Sequence, residues 1–176
     1  MQETISREKF LKTTALAGAA LLVSSLEGWA ATMPDKKLRV AVIGCGSVSN
    51  RYIPQLLSSK WIEVVSLCDI KPERAIAQNK EYKVNAATYG HIDEMLNGVP
   101  FDMMVTLTDM QLHGELNKKA LLAGKHVWSE KPMANTYAEG KALLDLANSK
   151  KLRIWGAPAV VNSPQFAYMS KMIQEG

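Results

Sequence analysis

Residue types that bind metal ions are scarce in this sequence. Its 176 residues include two cysteines, Cys45 and Cys68, and three histidines that lie far apart along the chain. None of them has the spacing of a zinc site, so no metal centre is expected. An exported protein can join two cysteines in a disulfide. We favour the alternative, in which both are small buried side chains.

The sequence also lacks internal repeats, low-complexity tracts and any basic run interleaved with aromatic residues. The formal net charge is +4 and the basic residues are spread along the chain, which argues against nucleic acid as a partner. Apolar residues make up 47% and charged residues 22%, a composition typical of globular rather than disordered proteins. The length suits one domain of ordinary size.

No apolar run is long enough to cross a bilayer, which needs about 20 residues. The shorter run at residues 15–23 follows three basic residues and precedes the small residues of the stretch 28–31. A basic region, a short apolar region and small residues together predict a signal peptide over residues 1–30. Residues 31–37 then form a linker to the first strand.

Residues 6–12 resemble a twin-arginine signal in which Glu8 replaces the second arginine, so the export route stays open. The pattern predicts a periplasmic or otherwise exported protein. A merely amphipathic leader and a lipid-surface anchor are the alternatives for this segment. The protein is expected in the cytoplasm if the signal is not cleaved or used.

The stretch that organises the chain begins at residues 40–43, an apolar run that predicts a strand buried on both faces. Gly44 and Gly46 follow, and apolar residues then recur at helical spacing. Strand, glycine turn and helix are the context of a dinucleotide-binding fingerprint. Gly44 allows the tight turn, and Gly46 lets a pyrophosphate lie against the backbone near the helix N-terminus. Ser49 occupies the third glycine position, so the match is weaker.

A second apolar strand at residues 61–68 ends at Asp69, which lies 25 residues after Gly44. This is near the spacing of about 20 expected for the acidic residue that binds the adenosine ribose. A carboxylate there accepts hydrogen bonds from both ribose hydroxyls and repels a 2′-phosphate, whereas Lys71 softens discrimination against NADP. The alternative is that Asp69 is an N-cap or turn residue before Pro72.

Strands and helices alternate along the rest of the chain. Further strands are predicted at residues 84–89, 101–108, 125–129 and 152–155, with helices between them and a last helix opening at residues 163–164. We predict capping boxes at residues 108–111 and 136–139, and a left-handed helix stop at Gly124. This alternation predicts an α/β, Rossmann-type doubly wound parallel sheet in the order 3-2-1-4-5-6, with helices on both faces.

Three motifs resemble those of the Gfo/Idh/MocA oxidoreductases, the family of glucose–fructose oxidoreductase and inositol dehydrogenase. Residues 40–48 resemble its V-x-I-G-x-G-x-(I/V) opening. The stretch 105–113, VTLTDMQLH, is similar to its strand and T-P-x-x-x-H segment, with Asp109 where proline is usual. Residues 123–132 resemble its A-G-K-H-V-x-x-E-K-P, the most specific of the three. The resemblance covers residues 38–176.

In that family the E-K-P lysine faces the nicotinamide and the sugar hydroxyl, which implies a catalytic role for Lys131. A cationic amine there polarises the hydroxyl and stabilises the developing alkoxide. The resemblance and the strand ends together predict NAD, with NADP as the alternative. The predicted cofactor-binding residues are Gly44, Cys45, Gly46, Ser47, Val48, Asp69, Ile70, Thr106, Thr108, His113, Glu130 and Pro132.

Each polar site residue also has a structural interpretation. Glu130 is expected to orient Lys131 or contact the cofactor, but the two can instead form a surface ion pair. His113 is otherwise a histidine on a helix surface or at the edge of the core. Thr106 and Thr108 bind pyrophosphate or ribose, or are ordinary β-branched strand residues.

Members of the family continue into a second domain that binds the sugar. The resemblance therefore implies a nucleotide-binding domain at residues 38–160 and a crossover helix at 161–176 toward a second domain that this chain does not include. We expect NAD(P)-dependent hydride transfer to or from a sugar or polyol, with no turnover by this chain alone. The alternatives are an NAD-dependent glycoside hydrolase half and a truncated, non-catalytic binding fragment. Self-association through an uncovered apolar face is also expected.

Overall fold

The computed structural model describes residues 36–157 and 163–175. Strands and helices alternate through this part of the chain, with one 3₁₀ turn at Met110–Leu112. The strands are β1 Leu38–Ile43, β2 Ile62–Cys68, β3 Ala87–Tyr89, β4 Met103–Thr106, β5 His126–Ser129 and β6 Ile154–Gly156. The helices are α1 Ser49–Ser58, α2 Pro72–Glu81, α3 Ile92–Asn97, α4 His113–Leu122, α5 Tyr137–Ser149 and α6 Pro164–Glu175.

The strands form one parallel sheet in the order β3-β2-β1-β4-β5-β6, which confirms the predicted order. The register aligns the carboxyl ends of the four inner strands. Ile43 pairs with Cys68 on one side and with Thr106 on the other, and Thr106 pairs in turn with Ser129. The four loops that follow these strands therefore leave the sheet along one edge.

Each face of the sheet is covered by helices, as a doubly wound fold requires. Val40 and Val42 of β1 point to one face and pack in a cluster with Ile53 of α1. Ala41 and Ile43 point to the other face, into a cluster that includes residues of α3, α4 and α5. Successive strand residues alternate between the two faces, and both faces of β1 are buried. This explains the continuous apolar run in the sequence.

Two predicted helix boundaries are confirmed. Thr136 precedes α5, and its side-chain oxygen accepts a hydrogen bond from the backbone N–H of Glu139 at 3.1 Å. Gly124 follows α4 with a φ of +77°, a left-handed conformation that glycine adopts without steric cost. The start of α5 is therefore stabilised by a side chain, and the end of α4 depends on the backbone freedom of glycine.

Two other predictions are wrong in detail. The third strand is limited to Ala87–Tyr89 rather than residues 84–89. Lys83 and Asn85 have φ values of +51° and +59°, so this part of the chain turns instead of pairing. The capping box at residues 108–111 is absent because a 3₁₀ turn intervenes and α4 begins only at His113, without a side-chain cap.

The predicted signal peptide lies outside the described residues, and export stays a prediction. No helix in the described part of the chain combines the length and apolar character needed to cross a membrane. The last helix, α6, starts at the predicted place and exposes several large apolar side chains. They are Phe166, Tyr168, Met169, Met172 and Ile173. The self-association expected from the sequence concerns an uncovered apolar face of the sheet, not this helix, and it stays a prediction.

Two adjacent leucines of α4 test how the sheet and its helices are held together. Leu121 is fully buried, whereas Leu122 is 54% exposed. We expect Leu121→Ala to lower the free energy of unfolding by about 2–5 kcal/mol, because it leaves a cavity between α4 and the sheet. Leu122→Ala should change it by less than about 0.5 kcal/mol. Urea unfolding followed by circular dichroism measures both, and equal losses would contradict this packing.

Candidate functional site

The turn after β1 is shaped by two glycines that have different surroundings. Gly44 has a φ of +94°, and a Cβ there would lie 2.6 Å from backbone atoms of Leu107 and Thr108. At Gly46 a Cβ would meet nothing within 4 Å, so its backbone faces open space. Gly44 is therefore required by the fold, and Gly46 leaves room for a molecule outside it.

Ser49, at the third position of the motif, packs beneath this turn. It is fully buried, and its hydroxyl donates a hydrogen bond to the carbonyl oxygen of Gly46 at 2.6 Å. Ser49 is also the first residue of α1, so the helix begins directly under the turn. The first N–H groups of a helix lack acceptors within the helix and attract anions.

Asp69 fixes the end of β2 to this turn. Its carboxylate accepts a hydrogen bond from the backbone N–H of Cys45 at 2.8 Å and another from that of Lys71 at 2.9 Å. The side chain does not cap α2, whose N-cap is Lys71, so the N-cap interpretation is wrong and the turn interpretation is right. Each carboxylate oxygen can still accept a further hydrogen bond. Contact with a ribose stays a prediction.

A cavity of about 270 Å³ opens beside Asp69 at the carboxyl edge of the sheet. Ile70, 77% exposed, lies at its wall. The cavity brings together several predicted residues with two exposed basic side chains that the sequence did not single out. Its lining includes Gly44, Gly46, Asp69, Ile70 and Thr108, together with Arg74 and His91.

Lys131 lies along the same edge, in a neighbouring recess that also contains Ser47, Val48, Thr108 and Glu130. Half-buried Thr108 lines both this recess and the cavity beside Asp69. A third recess includes Cys45. Pro132 is exposed beside Lys131 but lines none of the three. The cavity and the two recesses share Thr108, and together we call them the groove. Most of the predicted residues line this groove.

The carboxylate of Glu130 is held from two directions. The hydroxyl of Tyr52 in α1 donates to it at 2.5 Å, and the backbone N–H of Lys131 donates to it at 2.9 Å. Burial, followed by the hydrogen bond to Glu130, raises the pKa of the Tyr52 phenol. Among the described residues no ion pair joins Glu130 to the amine of Lys131. Glu130 therefore orients the main chain of Lys131 rather than its side chain.

Two predicted cofactor contacts need correction. Thr106 is fully buried and its hydroxyl donates to the side-chain oxygen of Asn117 at 2.8 Å, so this side chain faces the interior and not the groove. His113 is 1% exposed, with its ring nitrogens 2.7 Å from the carbonyl oxygen of Pro132 and 2.9 Å from that of Thr108. Both ring nitrogens face main-chain carbonyl oxygens, although the buried ring also borders the recess that contains Lys131. The helix-surface interpretation of His113 is wrong as well, and the core-edge interpretation fits.

Comparison with known protein families identifies the family of this domain. Residues 38–157 match the Gfo/Idh/MocA family model, described as an oxidoreductase family with an NAD-binding Rossmann fold. The chain belongs to this family. The match includes every strand of the sheet and all of the predicted site residues.

Relatives of the family domain include enzymes with named substrates. An uncharacterised oxidoreductase of Schizosaccharomyces pombe is 36% identical over 118 residues, which are 65% of this chain and 32% of that protein. An inositol 2-dehydrogenase/D-chiro-inositol 3-dehydrogenase of Lactiplantibacillus plantarum is 26% identical over 78% of this chain and 40% of its own length. The chain thus spans well under half of these relatives.

Solved structures of other oxidoreductases share the fold. WlbA dehydrogenase from Bordetella pertussis, in complex with NADH and UDP-GlcNAcA, has a TM-score of 0.71 and 27% identity, covering 80% of this chain and 44% of that one. KijD10, a 3-ketoreductase from Actinomadura kijaniata in complex with NADP and TDP-benzene, has a TM-score of 0.70 and 25% identity, covering 80% and 43%.

Within this Gfo/Idh/MocA domain, sequence reasoning missed Tyr52 and Asn117 as residues that support the site. Tyr52 was one of several apolar or aromatic residues at helical spacing, and nothing nearby in the sequence indicates its bond to Glu130, 78 positions later. Asn117 is an ordinary polar residue in the middle of α4. Its complete burial is the only signal, and burial depends on the assembled sheet.

Cys45 and Cys68 are free and buried, which confirms the interpretation as small interior side chains. Burial, and then the nearby Asp69 carboxylate, raise the pKa of both thiols to about 12. The thiolate is the reactive form of cysteine. Both cysteines are therefore protonated in the folded protein at any pH well below that value. Within residues 36–157 and 163–175 no cluster of histidine, cysteine and acidic residues is placed to hold a metal.

These two thiols give a test with a defined sign. The native protein should react very slowly with an aromatic disulfide reagent from neutral pH up to the ordinary thiol pKa of about 8.5, because the folded-state pKa lies above that range. Unfolded in denaturant, both thiols should react at once. The stability that the raised pKa values represent is present at neutral pH and is lost as the pH rises toward 12. Fast reaction of either native thiol at neutral pH would contradict the burial described here.

Proposed function

We propose that this domain is the nucleotide-binding part of an NAD(P)-dependent oxidoreductase that transfers hydride to or from a sugar or polyol. The observation that carries the proposal is the alignment of the glycine turn, Asp69 and Lys131 along one edge of the sheet. The relatives named above include an inositol dehydrogenase, a dehydrogenase with a bound sugar nucleotide and a ketoreductase. They favour redox chemistry over glycoside hydrolysis.

The groove suits a dinucleotide at two positions, one for the pyrophosphate and one for the adenosine ribose. Open space over Gly46 and the N-terminus of α1 suit a pyrophosphate. The unused acceptor capacity of Asp69 suits the hydroxyls of the adenosine ribose. Its carboxylate repels a 2′-phosphate, while exposed Lys71 and Arg74 attract one, so the proposal includes NAD as the preferred cofactor with NADP tolerated.

Lys131 supplies the polar chemistry in this proposal. Its side chain is exposed in the recess next to the glycine turn. The amine donates a hydrogen bond to the substrate oxygen and stabilises negative charge that develops on it. A nicotinamide dinucleotide held in this groove would accept or supply the hydride. Glu130 and Tyr52 hold the main chain of Lys131 in place in this proposal. The hydrogen bonds from the Tyr52 hydroxyl and from the backbone N–H of Lys131 to the Glu130 carboxylate support this role.

Hydride transfer also needs the substrate carbon held within about 3–3.5 Å of its reaction partner. The chain spans 32–40% of the length of the curated relatives compared above. We therefore propose, and do not observe, the activity of a whole protein. We propose that the residues described here bind the cofactor and carry Lys131, and that substrate positioning requires a second domain of the kind the family has.

Gly46 offers the sharpest test of cofactor binding, because a side chain there meets open space and not protein. We expect Gly46→Val to fold normally and to weaken NADH binding by at least about tenfold, equivalent to 1.4 kcal/mol, by occupying the pyrophosphate position. Titration of NADH fluorescence with the purified chain measures the dissociation constant.

Gly140→Ala is the control, because a Cβ at Gly140 meets only an ordinary contact, 3.8 Å from Ala134. It should leave NADH affinity unchanged. The same titration with NADPH measures the preference that Asp69 imposes, and weaker binding of NADPH is expected. No NADH response at millimolar concentration, or equal affinities of the Gly46→Val variant and the wild-type protein, would overturn the proposed function.

A further inference from the structure

Two buried side chains of α4 hold consecutive carbonyl groups of the loop after β5. His113 is 1% exposed and its Nδ1 lies 2.7 Å from the carbonyl oxygen of Pro132. Asn117 is fully buried, and its side-chain amide donates to the carbonyl oxygen of Met133 at 3.0 Å. The two residues are four apart and so lie on the same face of the helix. One helix face thus fixes the two residues that follow Lys131.

The same two side chains also reach the end of β4. The Nε2 of His113 lies 2.9 Å from the carbonyl oxygen of Thr108. Asn117 accepts a hydrogen bond from the Thr106 hydroxyl at 2.8 Å and donates one to the Ser129 hydroxyl at 2.9 Å. Each residue therefore bridges the ends of two neighbouring strands. Asn117 bonds to both ends, whereas His113 donates to one carbonyl group and contacts the other, because each neutral tautomer of the ring carries a single N–H. Because polar groups buried this deeply lose solvation unless they are bonded, the bridges resist opening.

The main chain around Lys131 is held on both sides. Its backbone N–H donates to Glu130, and the carbonyl groups of the next two residues are held by α4. Its side chain is exposed and forms no ion pair among the described residues. The position of the amine is consequently determined through its main chain and not by a partner of its own.

We infer that His113 and Asn117 are positioning residues that set the place of the Lys131 amine relative to the glycine turn. This inference rests on the proposed function for its consequence, because a displaced amine matters only where Lys131 meets the nicotinamide end of the cofactor. It assigns His113 a role different from cofactor contact. It also gives a role to Asn117, which the sequence did not indicate.

The test measures the amine directly and without cofactor. Reductive methylation with ¹³C-formaldehyde labels the lysine amines, and a Lys131→Arg variant identifies the Lys131 signal in the NMR spectrum. We expect His113→Leu and Asn117→Ala to shift this signal. Leu121→Ala should leave it in place, because Leu121 lies on the same helix and is fully buried in the apolar core, but has no polar group that could bond to the loop. His113→Gln keeps an amide donor and should shift the signal less, and it replaces His113→Leu if that variant does not fold.

Ligand affinities provide the second measurement. His113→Leu should weaken the binding of NADH by about fivefold, which is roughly the contribution of one hydrogen bond. It should change the affinity for ADP-ribose by less than about twofold. General loosening of the domain would weaken both ligands. His126→Gln is the matched histidine control, because His126 lies at the amino end of β5, away from the groove.

The outcomes separate the inference from the proposed function. A Lys131 signal that is unchanged in a folded His113 or Asn117 variant overturns the inference, whatever NADH does. A shift of equal size in Leu121→Ala also overturns it. A shift restricted to the His113 and Asn117 variants supports it, and if NADH affinity then stays constant, the role proposed for Lys131 at the nicotinamide fails while the positioning role stands.

Discussion

The hydrogen-bonded register of the inner strands is the constraint on which the site depends. Ile43 pairs with both Cys68 and Thr106, and Thr106 pairs with Ser129, so four strands end along one line. All of these strands run in the same direction, and the residues that follow them emerge together. A shift of one residue in any pair would reverse the faces of a strand. It would also separate the glycine turn from Asp69 or Lys131.

Most polar groups at this edge bond to one another, and few are left for a ligand. Asp69 holds the turn through Cys45, Glu130 is held by Tyr52, and Asn117 bonds to the ends of β4 and β5. Binding sites are most precise when supporting contacts lock the groups that face the ligand. The exposed side chain of Lys131 and the open backbone at Gly46 are thus carried on a frame whose polar groups mostly bond to one another.

The sequence predicted the strand order, the glycine turn and the family because these follow from local patterns. The alternation of strands and helices is visible in short stretches of sequence. The helix boundaries at Gly124 and Thr136 likewise depend only on a few neighbouring residues. The site's internal bonds could not be predicted in this way, because Thr106 meets Asn117 and Tyr52 meets Glu130 only after the sheet has formed. A β-branched strand residue has the same pattern whether its hydroxyl faces a groove or the interior.

We expect a nicotinamide dinucleotide to lie across the carboxyl ends of β2, β1, β4 and β5. Amide ¹H–¹⁵N spectra recorded as NAD⁺ is added test this most directly. Signals from Gly46, Asp69, Thr108 and Lys131 should shift together with a single dissociation constant, while those at the opposite strand ends, such as His126, should stay in place. Shifts confined to the opposite edge, or none at saturating NAD⁺, would contradict it.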